Sequence, residues 1–126
     1  MKNHFKIDFI GIGAEKAGTT QISEMLAAHP EICISEPKEV NFFNKNKPYI
    51  QGGKNNHYGK GLKWYEKHFG HAKTGQKLGE FTTFYLYDKE APKNMYEMFP
   101  NVKFIVCLRN PVERTFSQYI MYRYYF

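Results

Sequence analysis

The sequence predicts an α/β fold, a three-layer sandwich of helices around a central parallel sheet. Two short β-rich runs, IDFIGI (7–12) and KFIVCL (103–108), read as buried strands, the second apolar throughout as in strands covered on both faces. Helical patterns lie between and after them, so strand and helix alternate along one chain of 126 residues without a visible repeat. That length fits a single domain, residues 1–126.

In chain order, IDFIGI is stopped by glycine, and residues 19–29 then form a helix. Ile22, Met25 and Leu26 recur at helical spacing, Thr19 or Thr20 can cap the start, and Pro30 ends it. ICIS (32–35) is a second short strand, followed by the polar EPKE and the pair Phe42 and Phe43. From Asn44 to Gly61, Asn, Lys and Gly dominate, which predicts a mobile excursion rather than a packed element. LKWYEKHF (62–69) resumes a helical pattern in which Trp64, Tyr65 and Phe69 read as core. KLGEF (77–81) is a strand candidate, TTFYLYD its exit loop, and residues 90–99 a helix ending at Pro100. Pro111 opens a last helix that runs into YRYYF, an aromatic cluster that needs covering. The expectation is therefore the N-terminal part of a larger domain, incomplete at its C-terminus, or a chain that docks on another.

Lys and Arg total 18 against 12 Asp and Glu, a formal net charge of +6, which favours an anionic partner: a nucleotide, an acidic glycan, nucleic acid or a membrane surface. Cys33 and Cys107 are far apart, fit no C-x-x-C pattern and sit among apolar residues, so both read as reduced structural thiols. No apolar run is long enough to cross a bilayer, and MKNHFKIDF lacks the hydrophobic stretch of a secretory signal. The expected setting is cytoplasmic.

After the first strand comes GIGAEKAGTT (11–20), in which Gly13 and Gly18 are spaced as in a P-loop. Backbone amides of such a turn, added to the positive end of the next helix, form an anion site, with Thr19 and Thr20 as further donors. A nucleoside triphosphatase would need Lys and Ser/Thr after Gly18, whereas here the nearby lysine, Lys16, lies inside the loop. In that place it points at a terminal group beyond a 5′-phosphate, where it can balance charge on a departing oxygen. The alternative for this loop is an ordinary turn with Lys16 solvated. A second anion site is carried by CLRNPVERTFSQY (107–119): Arg109 ends the last strand, and Ser117 lies about two helical turns on. Its alternative is a solvated helix face.

Together, GAEKAGTT and LRNPVERTFSQY resemble the two cofactor motifs of the sulfotransferase family that uses 3′-phosphoadenosine 5′-phosphosulfate (PAPS). The first is similar to that family's 5′-phosphosulfate loop. The second is similar to its 3′-phosphate motif, in which Arg, Asp or Asn, and Pro precede a serine. The similarity is greatest to the heparan-sulfate-type branch and its bacterial relatives, and runs from about residue 7 to 119.

The resemblance implies transfer of a sulfuryl group from PAPS to an acceptor hydroxyl, with a carbohydrate as acceptor and no part for nucleic acid. Lys16 would be the catalytic lysine; Ala17, Gly18, Thr19 and Thr20 would cradle the 5′-phosphate; Arg109 and Ser117 would hold the 3′-phosphate. EVNFF (39–43) resembles an E-V-H-F-F stretch whose acid is the general base, which gives Glu39 that role, although Asn41 stands where the branch often has histidine. A carboxylate beside Phe42 and Phe43 can have its pKa raised toward the working range of a base. GEFTTFYLYD resembles a G-E-K-S/T-P-x-Y segment at the acceptor site, with Phe81 and Thr83 replacing its lysine and proline. Thr82 and Tyr85 there either line the acceptor cleft or pack in the core. His57, His68 and His71 form no convincing ligand set, and the family's chemistry needs no metal, so none is assigned. Two other readings stay open: a P-loop kinase with a displaced lysine, and a non-catalytic fragment that keeps the nucleotide site.

Overall fold

Four short parallel strands form one sheet, and the chain crosses between them through helices. In the computed structural model, which describes residues 5–47 and 53–125, the strands are β1 (Phe9–Gly13), β2 (Ile32–Ile34), β3 (Lys77–Phe81) and β4 (Lys103–Val106), in the order β2-β3-β1-β4. Ile10 is in register with Glu80 on one side and Phe104 on the other. The β1–β4 pairing shifts between Gly11 and Gly13, then continues with Cys107 N donating to Gly13 O and Ala14 N donating to Cys107 O. The helices are α1 (Thr19–Ala27), α2 (Leu62–Glu66), α3 (Ala91–Met98) and α4 (Pro111–Tyr125), with 3-10 turns at Tyr58–Lys60, Lys67–Phe69 and Thr83–Leu86. This is an α/β fold, and each predicted strand and helix lies close to its place in the sequence.

The core is aromatic. Phe42, Phe43, Tyr65, Phe69, Tyr85 and Phe99 pack with Ile7, Ile10 and Met95, so Tyr65 and Phe69 are core as their helical spacing predicts, and the FF pair is buried with them. Trp64 stacks on Phe42 from the margin of this cluster. Cys33 and Cys107 are buried free thiols, and burial with the nearby Glu36 pushes the Cys33 thiol up.

Four expectations need correction. The strand in the run 103–108 stops at Val106 and is the edge of this sheet, open to solvent: Phe104 is 50% and Val106 46% exposed, while Cys107 just beyond it is buried. Gly18, not a threonine, caps α1, with a left-handed φ of 84° that a side chain would strain, and no side-chain cap bond. The buried residues of α1 are Thr19 and Ser23, not Ile22 and Met25; the Ser23 hydroxyl donates to Thr20 O and so meets the core already paired. Most described residues of the stretch 44–61 are exposed, but the stretch is pinned to the core at two asparagines. Asn44 and Asn55 are buried, and the Asn55 amide donates to the carbonyls of Asn41 and Asn44. The expected mobility of residues 48–52 concerns positions outside the described residues.

Candidate active site at the strand ends

Because all four strands run the same way, their carboxyl ends share one edge of the sheet, and the chain departs from each end into a loop. Crevices at such an edge are where open α/β sheets bind ligands. Here a cleft of about 700 Å³ gathers Lys16, Gly18, Thr19 and Thr20 after β1, Lys38, Glu39 and Asn41 after β2, Thr83 and Phe84 after β3, and Arg109 and Ser117 after β4. Residues spread over a hundred positions of sequence thus face one space.

The loop after β1 is shaped to receive an anion. The first α-helical bond is Ile22 N to Gly18 O, so the amides of Thr19, Thr20 and Gln21 have no carbonyl one turn back. The first turn of α1 carries no acidic residue, and the space above Gly18 is open. Ala17 lies in the same turn, half-buried, and contributes backbone only. Lys16 adopts a left-handed φ of 59°. Arg109 spans from the end of β4 to this loop, its guanidinium donating to Lys16 O at 3.2 Å, while also lying 3.7 Å from Glu113. Ser117 is half-buried on α4 and shares a second, adjoining groove with Lys16 and Arg109.

Glu39 reaches the cleft from the β2 side in a left-handed turn, φ 64°. Its carboxylate is not held against Phe42 and Phe43, whose rings are buried in the core. One oxygen accepts from Lys38 Nζ at 2.8 Å and the other from the Thr83 amide at 2.8 Å. About a third of the side chain remains exposed, so the carboxylate is fixed and still reachable. Thr82 and Tyr85 do not line the cleft. They are 0% and 1% exposed, beneath it, and their neighbours Thr83 and Phe84 form the wall. Phe81 is also inside, its ring lying over Gly11.

Several contributors escaped the sequence reading. Lys38 and Thr83 orient Glu39, and Gln118 links α4 to the β1 loop by donating to Glu15 at 2.9 Å while accepting from Arg114 at 2.7 Å. Their signal was positional: each follows a strand end or faces one. Among the described residues no group of three or more His, Cys, Asp and Glu could hold a metal ion.

The family model for the sulfotransferase domain matches residues 6–125, and the chain belongs to that family. It is 37% identical over 115 residues to a membrane-associated sulfotransferase, kil1, of Dictyostelium discoideum, covering 89% of this chain and 22% of that protein. It is 31% identical over 108 residues to human heparan sulfate glucosamine 3-O-sulfotransferase 5, covering 86% and 28%. A solved sulfotransferase from Alicyclobacillus acidocaldarius superposes with a TM-score of 0.78 at 30% identity, covering 93% of this chain and 50% of that one. The chain thus spans about a quarter of these two curated relatives and half of the solved structure. No helix among the described residues is long and apolar enough to cross a membrane.

Proposed function

We propose that the protein transfers a sulfuryl group from PAPS to a hydroxyl of a carbohydrate acceptor. The observation that carries this reading is the meeting of the Lys16–Thr20 turn, Arg109 with Ser117, and Glu39 in one cleft. The open amides at the start of α1 and the hydroxyls of Thr19 and Thr20 suit a 5′-phosphate, and Arg109 with Ser117 suits a 3′-phosphate. PAPS supplies an activated sulfuryl group. The acceptor oxygen forms a bond to sulfur as the bond from sulfur to the 5′-phosphate oxygen breaks; the acceptor proton passes to Glu39, and Lys16 balances the charge left on the phosphate. The products are a sulfate ester and 3′,5′-adenosine bisphosphate. Names of relatives that act on heparan sulfate support a glycan acceptor, as does the net charge of +6. The family match favours this over a kinase. A cytoplasmic setting, compatible with two free thiols, is part of the same proposal.

Calorimetry tests the reading. We expect 3′,5′-adenosine bisphosphate to bind without Mg²⁺ and ATP to bind more weakly. Tight ATP binding that ignores the 3′-phosphate and requires Mg²⁺ would overturn it. Bisphosphate binding without PAPS consumption over a panel of carbohydrate acceptors would reduce the chain to a nucleotide-binding unit.

A further inference from the structure

Beneath the loop that carries Glu39 lies a buried carboxyl that the proposed chemistry does not use. Glu80, on β3, is 0% exposed. Tyr65 Oη donates to its Oε1 at 2.7 Å and Tyr85 Oη to the same oxygen at 2.8 Å, while Thr82 Oγ1 donates to Oε2 at 2.9 Å. Two of these hydroxyls are also acceptors. The Asn41 amide donates to Thr82 Oγ1 at 3.2 Å, and the Phe42 amide donates to Tyr85 Oη at 3.0 Å. A backbone N–H can only donate, so each hydroxyl must turn its own hydrogen away from the amide, toward the carboxylate. Two consecutive amides of the EVNFF loop are thereby relayed, through one hydroxyl each, to the two oxygens of a single carboxylate.

We propose that Glu80 is a positioning residue: its ionised carboxylate, acting through Thr82 and Tyr85, holds the amides of Asn41 and Phe42 and with them the turn that presents Glu39 to the cleft. The catalytic consequence rests on the reading of Glu39 as proton acceptor; the structural part does not. Glu39 and Asn41 both have left-handed φ, 64° and 53°, a conformation that persists only where neighbours over-determine it. Protonating Glu80 brings a fourth hydrogen into a cluster already holding three hydroxyl hydrogens, so at least one of them loses its acceptor. The groups facing Glu80 are Tyr65 from α2, Thr82 and Tyr85 from the exit of β3, and Glu39 from the loop above. Burial drives the Glu80 pKa up to about 7, opposed by the three hydroxyl bonds and reinforced by the charge of Glu39. Both tyrosines are pushed well above their usual range, chiefly by burial and then by Glu80, so they stay donors. The relay therefore changes state near neutral pH.

Residue-resolved amide exchange of the whole chain, followed by NMR from pH 5.5 to 8 and corrected for the intrinsic rate, tests this. Protection at Asn41 and Phe42 should rise as pH climbs through about 7. Tyr85→Phe should lower protection at Phe42 about tenfold and spare Asn41, and Thr82→Val should do the reverse. Glu80→Gln should abolish the pH step at both, and should lower kcat while the affinity for 3′,5′-adenosine bisphosphate holds. Unchanged exchange in folded Tyr85→Phe and Thr82→Val proteins would overturn the proposal, as would a pH step that survives Glu80→Gln. If Glu80→Gln does not fold, the two hydroxyl variants decide alone. Failure to bind the bisphosphate would remove the functional reading yet leave the exchange pattern as expected, so the two failures are distinguishable.

Discussion

Lys16, Glu39 and Asn41 are the non-glycine residues with left-handed φ among the described residues, and all three line the cleft. An L side chain there costs about 1–2 kcal/mol, which a turn needing only its shape would avoid with glycine. The strain is in keeping with residues kept for what their side chains do. Lys16→Gly should therefore leave stability to urea unchanged or raise it by up to about 1 kcal/mol, while turnover of PAPS falls about 10²–10³-fold. A clear loss of stability would mean that the lysine supports the loop rather than the chemistry. At Glu39, the Gln variant should lose about 10²–10⁴ in turnover and keep bisphosphate affinity, measured by steady-state kinetics beside calorimetry. The places of Lys16, Arg109 and Ser117 at the cleft were legible in the sequence because each sits in a motif that directly follows a strand, Lys16 after β1 and the other two after β4. Lys38, Thr83 and Glu80 were not, because their partners come from other loops and nothing local records that meeting.

Elements were legible to the extent that their signal is local. KLGEF occupies β3 residue for residue, since a short run ended by turn residues is a property of the segment itself. Burial is a property of the neighbours. Thus KFIVCL gave the strand and not its exposure, which follows from its place at the edge of the order β2-β3-β1-β4. Thr82 and Tyr85 face the same difficulty: pattern cannot tell a cleft wall from the layer beneath it. Within β1, Gly11 shows how closely the layers meet. A Cβ built there would lie 2.0 Å from the Phe81 ring, and that ring is itself fully buried. Gly11→Ala should destabilise the protein by about 1–3 kcal/mol or more, read as a lower urea midpoint, because neither β1 nor Phe81 has room to retreat.

For the molecule as a whole, Glu80 sets a pH dependence of stability whose sign can be worked out. Its pKa in the folded state is about 7, above its ordinary 4.5, so between these values the folded chain keeps a proton that the unfolded chain has released. Stability from this group is present at low pH and is lost as pH rises toward and through 7, on the order of 3 kcal/mol across the window. Urea midpoints should fall between pH 5 and pH 8, and Glu80→Gln should flatten that decline. The proton that strengthens the fold is the one that slackens the Glu39 loop, so overall stability and local order should move in opposite directions with pH.

The parallel sheet has a further consequence. Lys16 follows the interior strand β1 and Arg109 the edge strand β4, which is covered on one side only by pairing. An anion gripped by both loops would span the seam between them and act as a clasp on the rim of the sheet. Donor occupancy and the integrity of that rim then become a single quantity, and the nucleotide would serve as structural mortar for the border strand while it serves as reagent in the cleft.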